Sequence, residues 1–265
     1  MPAPLRVERL SGPDAGIVLL TLDLPEVRNA MRDDLTAAWA DAVTSLRRDR
    51  SVRCVVVTGA GRAFCSGGDV TWLASEPDAT VAALRDRMLP FYETWLSLGE
   101  LDVPSVAAVN GPAVGAGATL ALSCDIRYAG TSARFSVPFA QLGLHAGMAT
   151  TWLLPEVVGL AAARELLLTG RACDADEMRR LGLVTEVFDD DHLLQRTLER
   201  ARLVAAGAPV AQRLHKAALA RGGHGSFADA LRWESVVQPV TLATRDLQEG
   251  LRARAERRPA EFTGE

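Results

Sequence analysis

The amino-acid sequence predicts an α/β fold with a helical C-terminal region. In the first half, short apolar segments alternate with longer segments in which apolar residues recur at helical spacing, as they do when strands and helices alternate. After about residue 137 the helical spacing dominates. The 265 residues are 48% hydrophobic and 23% charged, which is the composition of a globular protein with a sizeable core.

Each predicted strand of the first half is short and rich in aliphatic or β-branched residues. These strands cover residues 16–22, 52–58, 104–109, 125–129 and 134–137. The second strand is almost continuously apolar, which is typical of a strand buried on both faces of a parallel sheet. Helices are predicted around residues 35–46 and over residues 81–98, where Pro90 would introduce a kink or a break.

In the second half, one strand is predicted among several helices. The strand covers residues 183–188, and the helices before and after it cover residues 149–158, 161–169, 175–181 and 192–206. A further helix begins at Pro209, because proline fits the first helical turn. The last two helices are predicted over residues 227–238 and 242–255, separated by Pro239.

The charge balance and the polar residues argue against several classes of protein. With 29 basic and 33 acidic side chains the net charge is −4, so a nucleic-acid partner is not expected. No apolar run approaches the roughly 18–20 residues that span a bilayer, and the first residues show no signal-peptide pattern. We therefore expect a cytoplasmic protein without a membrane partner. The four cysteines and four histidines lack metal-ligand spacing, which predicts no metal site.

Two glycine-containing turns follow predicted strands and are candidates for the functional site. They cover residues 61–70 (GRAFCSGGDV) and 110–119 (NGPAVGAGAT), and neither matches the phosphate-binding P-loop. A helix is predicted to begin at Ala116, so its N–H groups and positive dipole end would face a ligand there. Two such donors that converge make an oxyanion hole. The alternative is that both segments are only tight strand-to-helix turns.

Further segments accompany these turns in a fixed order: LPEVRNAM at residues 24–31, AFCSGGDV at 63–70, AAVNGPAVGAG at 107–117, CDIRYA at 124–129 and RFSVP at 134–138. They resemble, in turn, the patterns N-R-P-x-x-x-N-A-L, A-F-x-A-G-x-D-L, A-x-x-x-G-x-A-x-G-G-G, C-D-x-x-x-A and x-F-x-x-P of the crotonase superfamily, the enoyl-CoA hydratase/isomerase family. The ending from Arg258 to Phe262 resembles the family's basic-then-phenylalanine ending more loosely. The resemblance covers nearly the whole chain.

The resemblance implies a crotonase-like spiral of ββα units over residues 1–200 and a C-terminal helical trimerisation region over residues 201–265. It implies a homotrimer or a dimer of trimers. The substrate would be an acyl-CoA thioester, with no separate cofactor. The thioester oxygen would lie between the backbone N–H groups of Gly68 and Ala116, which would stabilise an enolate.

The resemblance also assigns residues to the CoA part of the substrate. The adenine would lie near the first of the two turns, and arginine side chains would contact the phosphates. The residues assigned in this way are Arg28, Ala30, Arg62, Ala63, Asp69, Arg258 and Phe262. For each arginine the alternative is a solvated surface charge.

Both glutamates that act as acid and base in the family's hydratases are absent from this chain. Their positions hold Thr119 and Phe139, and neither side chain transfers a proton near neutral pH. Other branches of the family place an aspartate farther along, where this chain has Gly147. Thr119 and Phe139, together with Trp72, are expected to shape the acyl pocket.

His145 is the candidate acid or base, because it lies in the loop that closes over the thioester in the family and histidine is a residue type that transfers protons near neutral pH. The alternative is a structural role for this histidine. Glu93 is interpreted as solvent-facing, although its helix borders the acyl pocket in relatives. Trp152 is interpreted as pocket wall or core. Cys65 has no His/Asp partner at a spacing that supports a nucleophile.

Three hypotheses about function follow. The first is an acyl-CoA enzyme that works through an enolate-like intermediate, with isomerisation, hydrolysis or decarboxylation favoured over simple hydration. The second is a catalytically silent acyl-CoA-binding paralogue. The third is an enzyme that uses the oxyanion hole to cleave a β-diketone and does not bind CoA.

Overall fold

The computed structural model describes residues 3–69, 71, 74–220 and 225–265. The strands of the central sheet are β1 (Leu5–Arg9), β2 (Ile17–Leu22), β3 (Cys54–Gly59), β4 (Ser105–Val109), β6 (Ile126–Gly130) and β9 (Glu186–Phe188). They lie in the order β1-β2-β3-β4-β6-β9. β1 is antiparallel to β2, and the other neighbours are parallel. A smaller sheet contains β5 (Pro112–Val114), β7 (Arg134–Ser136) and β8 (Cys173–Asp174) in the order β5-β7-β8.

Helices of the described chain cover both faces of the central sheet and form the C-terminal region. They are α1 (Asp33–Arg48), α2 (Val81–Leu96), α3 (Ala116–Ser123), α4 (Thr150–Thr169), α5 (Ala175–Arg180), α6 (Leu193–Ala205), α7 (Pro209–Leu219), α8 (Phe227–Leu242) and α9 (Arg245–Glu256). The predicted α/β class with C-terminal helices is confirmed.

The core is divided by the central sheet because successive side chains of a strand point to opposite faces. Val55 and Val57 of β3 belong to the larger cluster, which also contains residues of α1 and α2. In that cluster the rings of Trp39 and Trp95 stack with centroids 4.9 Å apart. Val56 of β3 points the other way, into a smaller cluster covered by α6. The central strands are thus buried on both faces, as their apolar sequence predicts.

Neither of the two prolines ends a helix, so a break at Pro90 and the separation at Pro239 are wrong, while a kink at Pro90 stays a prediction. α2 continues through Pro90, and α8 continues through Pro239. The actual boundary between the last two helices is at Thr244, whose side chain accepts a hydrogen bond from the N–H of Leu247 and caps α9. The predicted separation of helices at residues 158–161 corresponds to a kink at Gly159, which has a φ of +76° within α4.

The C-terminal region is anchored to the sheet by Lys216, the only lysine in the chain. Its Nζ lies 2.9 Å from the carboxylate of Asp125 and donates to the carbonyl of Val103 at 2.9 Å. In contrast, α8 exposes large apolar side chains, and Phe227 is 85% exposed. None of the described helices combines the length and the apolar content that crossing a membrane requires.

Candidate active site

The two predicted site segments follow neighbouring parallel strands and meet at the same edge of the sheet. The first loop (residues 60–69) follows β3, and the second loop (residues 110–115) follows β4 and contains β5. The carboxyl ends of parallel strands are where ligands bind in open α/β sheets. The fold therefore places both loops where a site is expected.

Backbone hydrogen bonds hold the two loops side by side. The N–H groups of Phe64 and Cys65 donate to the carbonyl of Pro112 at 3.1 and 3.2 Å. The N–H of Val114 donates to the carbonyl of Cys65 at 2.9 Å. A Cβ on Gly117 would lie 2.2 Å from that carbonyl oxygen, so only glycine allows the backbones to approach this closely.

Two unpaired N–H groups lie on these adjoining loops. Gly67 has a φ of +92°, and a Cβ built there would lie 3.2 Å from the nitrogen of Ala116. Ala116 begins α3, so its N–H has no acceptor within the helix. Among the described residues, neither this N–H nor that of Gly68 has a hydrogen-bond acceptor. Both donors are thus available to a ligand.

Asn29 supports the first loop, a role that the sequence analysis missed. Its side-chain amide donates to the carbonyls of Ala60 (3.0 Å), Ala63 (2.8 Å) and Phe64 (3.2 Å). Its Oδ1 accepts from the N–H of Leu24 at 2.9 Å. The residue is fully buried and has a φ of +56°, a left-handed conformation that asparagine tolerates better than most residues. Its place in the NAM segment was a usable signal.

Five of the residues predicted to bind CoA lie on or beside the first loop. They are Arg28, Ala30, Arg62, Ala63 and Asp69. Both arginines are exposed, and both alanines are buried. The carbonyl of Arg28 accepts from the N–H of Ser66 at 2.9 Å, which ties this segment to the loop. A carboxylate oxygen of Asp69 accepts from the N–H of Thr71 at 2.8 Å.

An open cleft of about 670 Å³ lies beside Asp69. Its described lining is Arg32, Asp33, Asp34, Asp69, Thr71, Ser75, Glu76 and Arg87. Two ion pairs, Arg32 with Asp34 and Arg87 with Glu76, neutralise its cations. The charge of this cleft alone therefore does not favour phosphates.

Arg258 and Phe262 do not lie with the other predicted CoA residues. Arg258 forms ion pairs with Glu249 (2.6 Å) and Glu256 (2.7 Å), which raise its pKa above the usual range. The carbonyl of Phe262 accepts from Arg53, which immediately precedes β3. This is the amino end of the strand, whereas the first loop follows the carboxyl end. Within one chain these two residues are therefore separated from the cleft.

Thr119 is fully buried, and its hydroxyl is occupied by the protein. Its Oγ1 lies 3.1 Å from the carbonyl of Gly115 and 2.6 Å from Oγ1 of Thr150. Oγ1 of Thr150 lies 2.6 Å from the carbonyl of Gly147. This chain of contacts connects α3 to the loop before α4. The ring of Phe139 lies 3.8 Å from where a Cβ on Gly115 would be, so it forms a wall beside the start of α3.

The remaining candidates differ in exposure. His145 is exposed, and its Nδ1 lies 2.7 Å from the carbonyl of Ala146, which requires the proton on Nδ1 and leaves Nε2 of the neutral ring as an acceptor. Glu93 is exposed, as its interpretation predicts. Trp152 is 56% exposed, so it is not a core residue, and its interpretation as pocket wall stays a prediction. Trp72 lies outside the described residues.

Cys65 is buried between the loops, and its thiol donates to the carbonyl of Asn29 at 3.0 Å. Burial raises the pKa of this thiol to about 12. Because the thiolate is the nucleophilic form, Cys65 is inert near neutral pH.

The similarity to known proteins shows first the fold of this chain and then its family. The enoyl-CoA hydratase from Bacillus anthracis superposes with a TM-score of 0.92 at 30% identity, covering 99% of this chain and 100% of that one. The fold is thus the crotonase fold. The model of the enoyl-CoA hydratase/isomerase family matches residues 12–265. The chain therefore belongs to this family, and the resemblance found in the sequence is confirmed.

Two relatives share more than a third of their aligned residues with this chain. It is 35% identical over 256 residues to the 1,2-epoxyphenylacetyl-CoA isomerase of Escherichia coli (strain K12), covering 96% of this chain and 98% of the relative. It is 41% identical over 177 residues to the probable enoyl-CoA hydratase EchA14 of Mycobacterium tuberculosis (strain H37Rv), covering 67% of this chain and 68% of the relative.

Proposed function

We propose that the protein is an enzyme that binds an acyl-CoA thioester and stabilises its enolate between the N–H groups of Gly68 and Ala116. The observation that carries this proposal is the pair of unpaired donors on adjoining loops. Backbone donors fixed before the reaction stabilise a developing oxyanion more than water does, because they need no reorganisation. The positive end of the α3 dipole adds to this effect at Ala116.

The reaction is an isomerisation, a hydrolysis or a decarboxylation rather than simple hydration. Hydration needs an acid and a base, and the two positions expected to supply them hold Thr119 and Phe139. The hydroxyl of Thr119 is already engaged, and the ring of Phe139 has no proton to transfer. The chain is similar along nearly its whole length both to an isomerase and to a probable enoyl-CoA hydratase, so the case against hydration rests on Thr119 and Phe139.

CoA is proposed to lie along the first loop, with Ala30 and Ala63 forming an apolar surface and Arg28 and Arg62 reaching the phosphates. CoA is the carrier part of the substrate, and no separate cofactor is proposed. Arg258 and Phe262 would have to come from a neighbouring chain. This agrees with a homotrimer or a dimer of trimers in which residues 201–265 make the contacts, since α8 exposes Phe227, Val236 and Leu242. Light scattering of the purified protein tests that assembly.

His145 is the proposed base, acting through Nε2. We expect His145→Ala to abolish turnover while acyl-CoA binding survives, because the ring contributes a proton acceptor and little packing. His192→Ala is the matched control, since His192 is also exposed and lies far along the chain from both loops. Unchanged turnover in His145→Ala would remove this residue from the mechanism.

A silent acyl-CoA-binding protein is the second candidate, and it is favoured by the absence of both carboxylates. Incubation with a panel of acyl- and enoyl-CoAs in heavy water, followed by mass spectrometry, separates the two. Isomerisation gives deuterium uptake, whereas hydrolysis and decarboxylation each change the mass characteristically. Binding without any mass change supports the silent protein. No binding of any CoA thioester contradicts both candidates and leaves cleavage of a β-diketone.

A further inference from the structure

Tyr92 lies on α2 and packs its phenol against the loop before α4. A Cβ on Gly147 would lie 2.4 Å from Oη and 2.8 Å from Cζ of Tyr92. Any side chain at position 147 would therefore have to displace the phenol. The ring of Phe91 lies 6.2 Å away in an edge-on arrangement and supports the tyrosine from its own helix.

The loop that Tyr92 covers is connected to the start of α3, where the proposed oxyanion hole lies. The carbonyl of Gly147 is 2.6 Å from Oγ1 of Thr150, and Oγ1 of Thr150 is 2.6 Å from that of Thr119. Thr119 in turn contacts the carbonyl of Gly115, the residue before the Ala116 donor. Three short contacts thus connect the loop under Tyr92 to the start of α3. This connection places the phenol on the α4 side of the proposed hole, and we take the acyl chain to leave the hole on that side.

The hydroxyl has no partner within the part of the chain that the structure describes. The hydroxyls of Thr119 and Thr150 are both engaged within the protein, so they do not compete for a ligand. Tyr92 is half-buried, and this burial raises its pKa above the usual value, so the hydroxyl keeps its proton near neutral pH. It therefore presents a hydrogen-bond donor in a place where water is partly excluded. A donor of this kind favours a ligand that offers an acceptor.

We propose that Tyr92 Oη donates a hydrogen bond to an oxygen on the acyl chain and so determines specificity. The preferred substrates are CoA thioesters whose acyl group carries a hydroxyl or carbonyl oxygen beyond the thioester, rather than plain hydrocarbon chains. This inference rests on the proposed function, since it requires that the site bind acyl-CoA thioesters. A site that hydrogen-bonds a substrate oxygen discriminates against the analogue that lacks it, because its own donor is then left unpaired.

The test compares binding of butanoyl-CoA with binding of its 3-hydroxy, 3-oxo and 4-hydroxy derivatives by calorimetry. We expect the wild type to bind at least one oxygenated derivative about tenfold more tightly than butanoyl-CoA, the ratio that one net hydrogen bond gives. Tyr92→Phe keeps the ring and should bring that ratio close to one while leaving the Kd of butanoyl-CoA unchanged. Tyr128→Phe is the matched control, because Tyr128 is the only other tyrosine and packs against Phe188, on the far side of the sheet.

A second measurement reports on the hydroxyl directly. Labelling with tyrosine carrying ¹³C at Cζ gives two signals, which Tyr128→Phe assigns. The Tyr92 signal should shift with the oxygenated ligand and not with butanoyl-CoA, an effect that a space-filling role would not produce.

The possible outcomes separate this inference from the proposed function. If the wild type binds butanoyl-CoA and its oxygenated derivatives with equal affinity, the inference is overturned and the proposed function stands. The same holds if the preference for an oxygenated derivative remains in Tyr92→Phe. Failure of every CoA thioester to bind would contradict both.

Discussion

Two clusters of polar groups, one at each edge of the central sheet, differ in their hydrogen bonding. At the amino end of the strands, Lys216 pairs with Asp125, and the same carboxylate accepts from the N–H and the hydroxyl of Ser105 at 2.7 and 2.8 Å. At the carboxyl end, the N–H groups of Gly68 and Ala116 have no acceptor among the described residues. The Lys216–Asp125 cluster, called the paired edge, holds the C-terminal helices, whereas the edge with the two free N–H groups, called the unpaired edge, can accept a ligand. Satisfied polar groups stabilise a fold, and unsatisfied ones mark where a ligand completes it.

The largest expected effect removes a donor from the unpaired edge. Ala116→Pro deletes the N–H at the first position of α3, where proline is well tolerated in a helix. We expect turnover of the best acyl-CoA to fall by about 10²–10³, the loss typical of one oxyanion-hole donor. Ala116→Gly keeps the N–H and is the control. Steady-state kinetics of both variants measure the loss of turnover, and their melting temperatures show whether each variant is folded. Turnover equal in the two variants would exclude this donor.

The paired edge is tested by Lys216→Met, which keeps the length of the side chain and removes its charge. Asp125 then loses its ion pair, and we expect the free energy of unfolding to fall by about 2 kcal/mol. This value is below that of a fully buried pair because the Asp125 side chain is 33% exposed. Turnover per folded molecule should not change. Arg47→Ala breaks an exposed pair with Glu100 and should cost less than about 0.5 kcal/mol. Urea unfolding measures the free energy of unfolding of both variants. Equal losses in the two would contradict the distinction between the buried ion pair of Lys216 and the exposed one of Arg47.

The smallest effect concerns backbone strain at the unpaired edge. Ala149 precedes α4 with a φ of +56°, a left-handed conformation that costs alanine about 1 kcal/mol relative to glycine. Ala149→Gly should therefore raise the free energy of unfolding by a similar amount. Ala37→Gly, at an exposed position inside α1, should lower it by about 0.5–1 kcal/mol. Shifts of the same sign in thermal melts would show that the left-handed conformation stores no strain.

The sequence is most informative where local patterns decide the structure. The apolar run of β3 and the small residues of α3 place both loops correctly, since buried strands and glycine turns leave strong local signals. The strands β1, β5 and β8 were not predicted, because two of them have only two or three residues and β1 has a single buried residue.

The other features that the sequence did not predict depend on long-range contacts. The NAM segment draws attention to Asn29, but it does not show that this side chain reaches Ala60 and Ala63, and no local signal shows that Tyr92 covers Gly147. The ending from Arg258 to Phe262 has a recognisable pattern, yet its position at the opposite edge of the sheet depends on how the tail folds back on α9. There the N–H groups of Thr263 and Gly264 donate to the buried carboxylate of Asp246.

The most direct test of the central claim is the infrared absorption of the thioester carbonyl in the bound substrate. Isotope-edited spectra of an acyl-CoA labelled with ¹³C at the thioester carbon report the hydrogen bonds to its oxygen. Binding to the wild type should shift this carbonyl band to lower wavenumber, and binding to Ala116→Pro should shift it less, because one of the two donors is gone. A band that stays at its position in water, or an equal shift in both proteins, would contradict an oxyanion hole formed by Gly68 and Ala116.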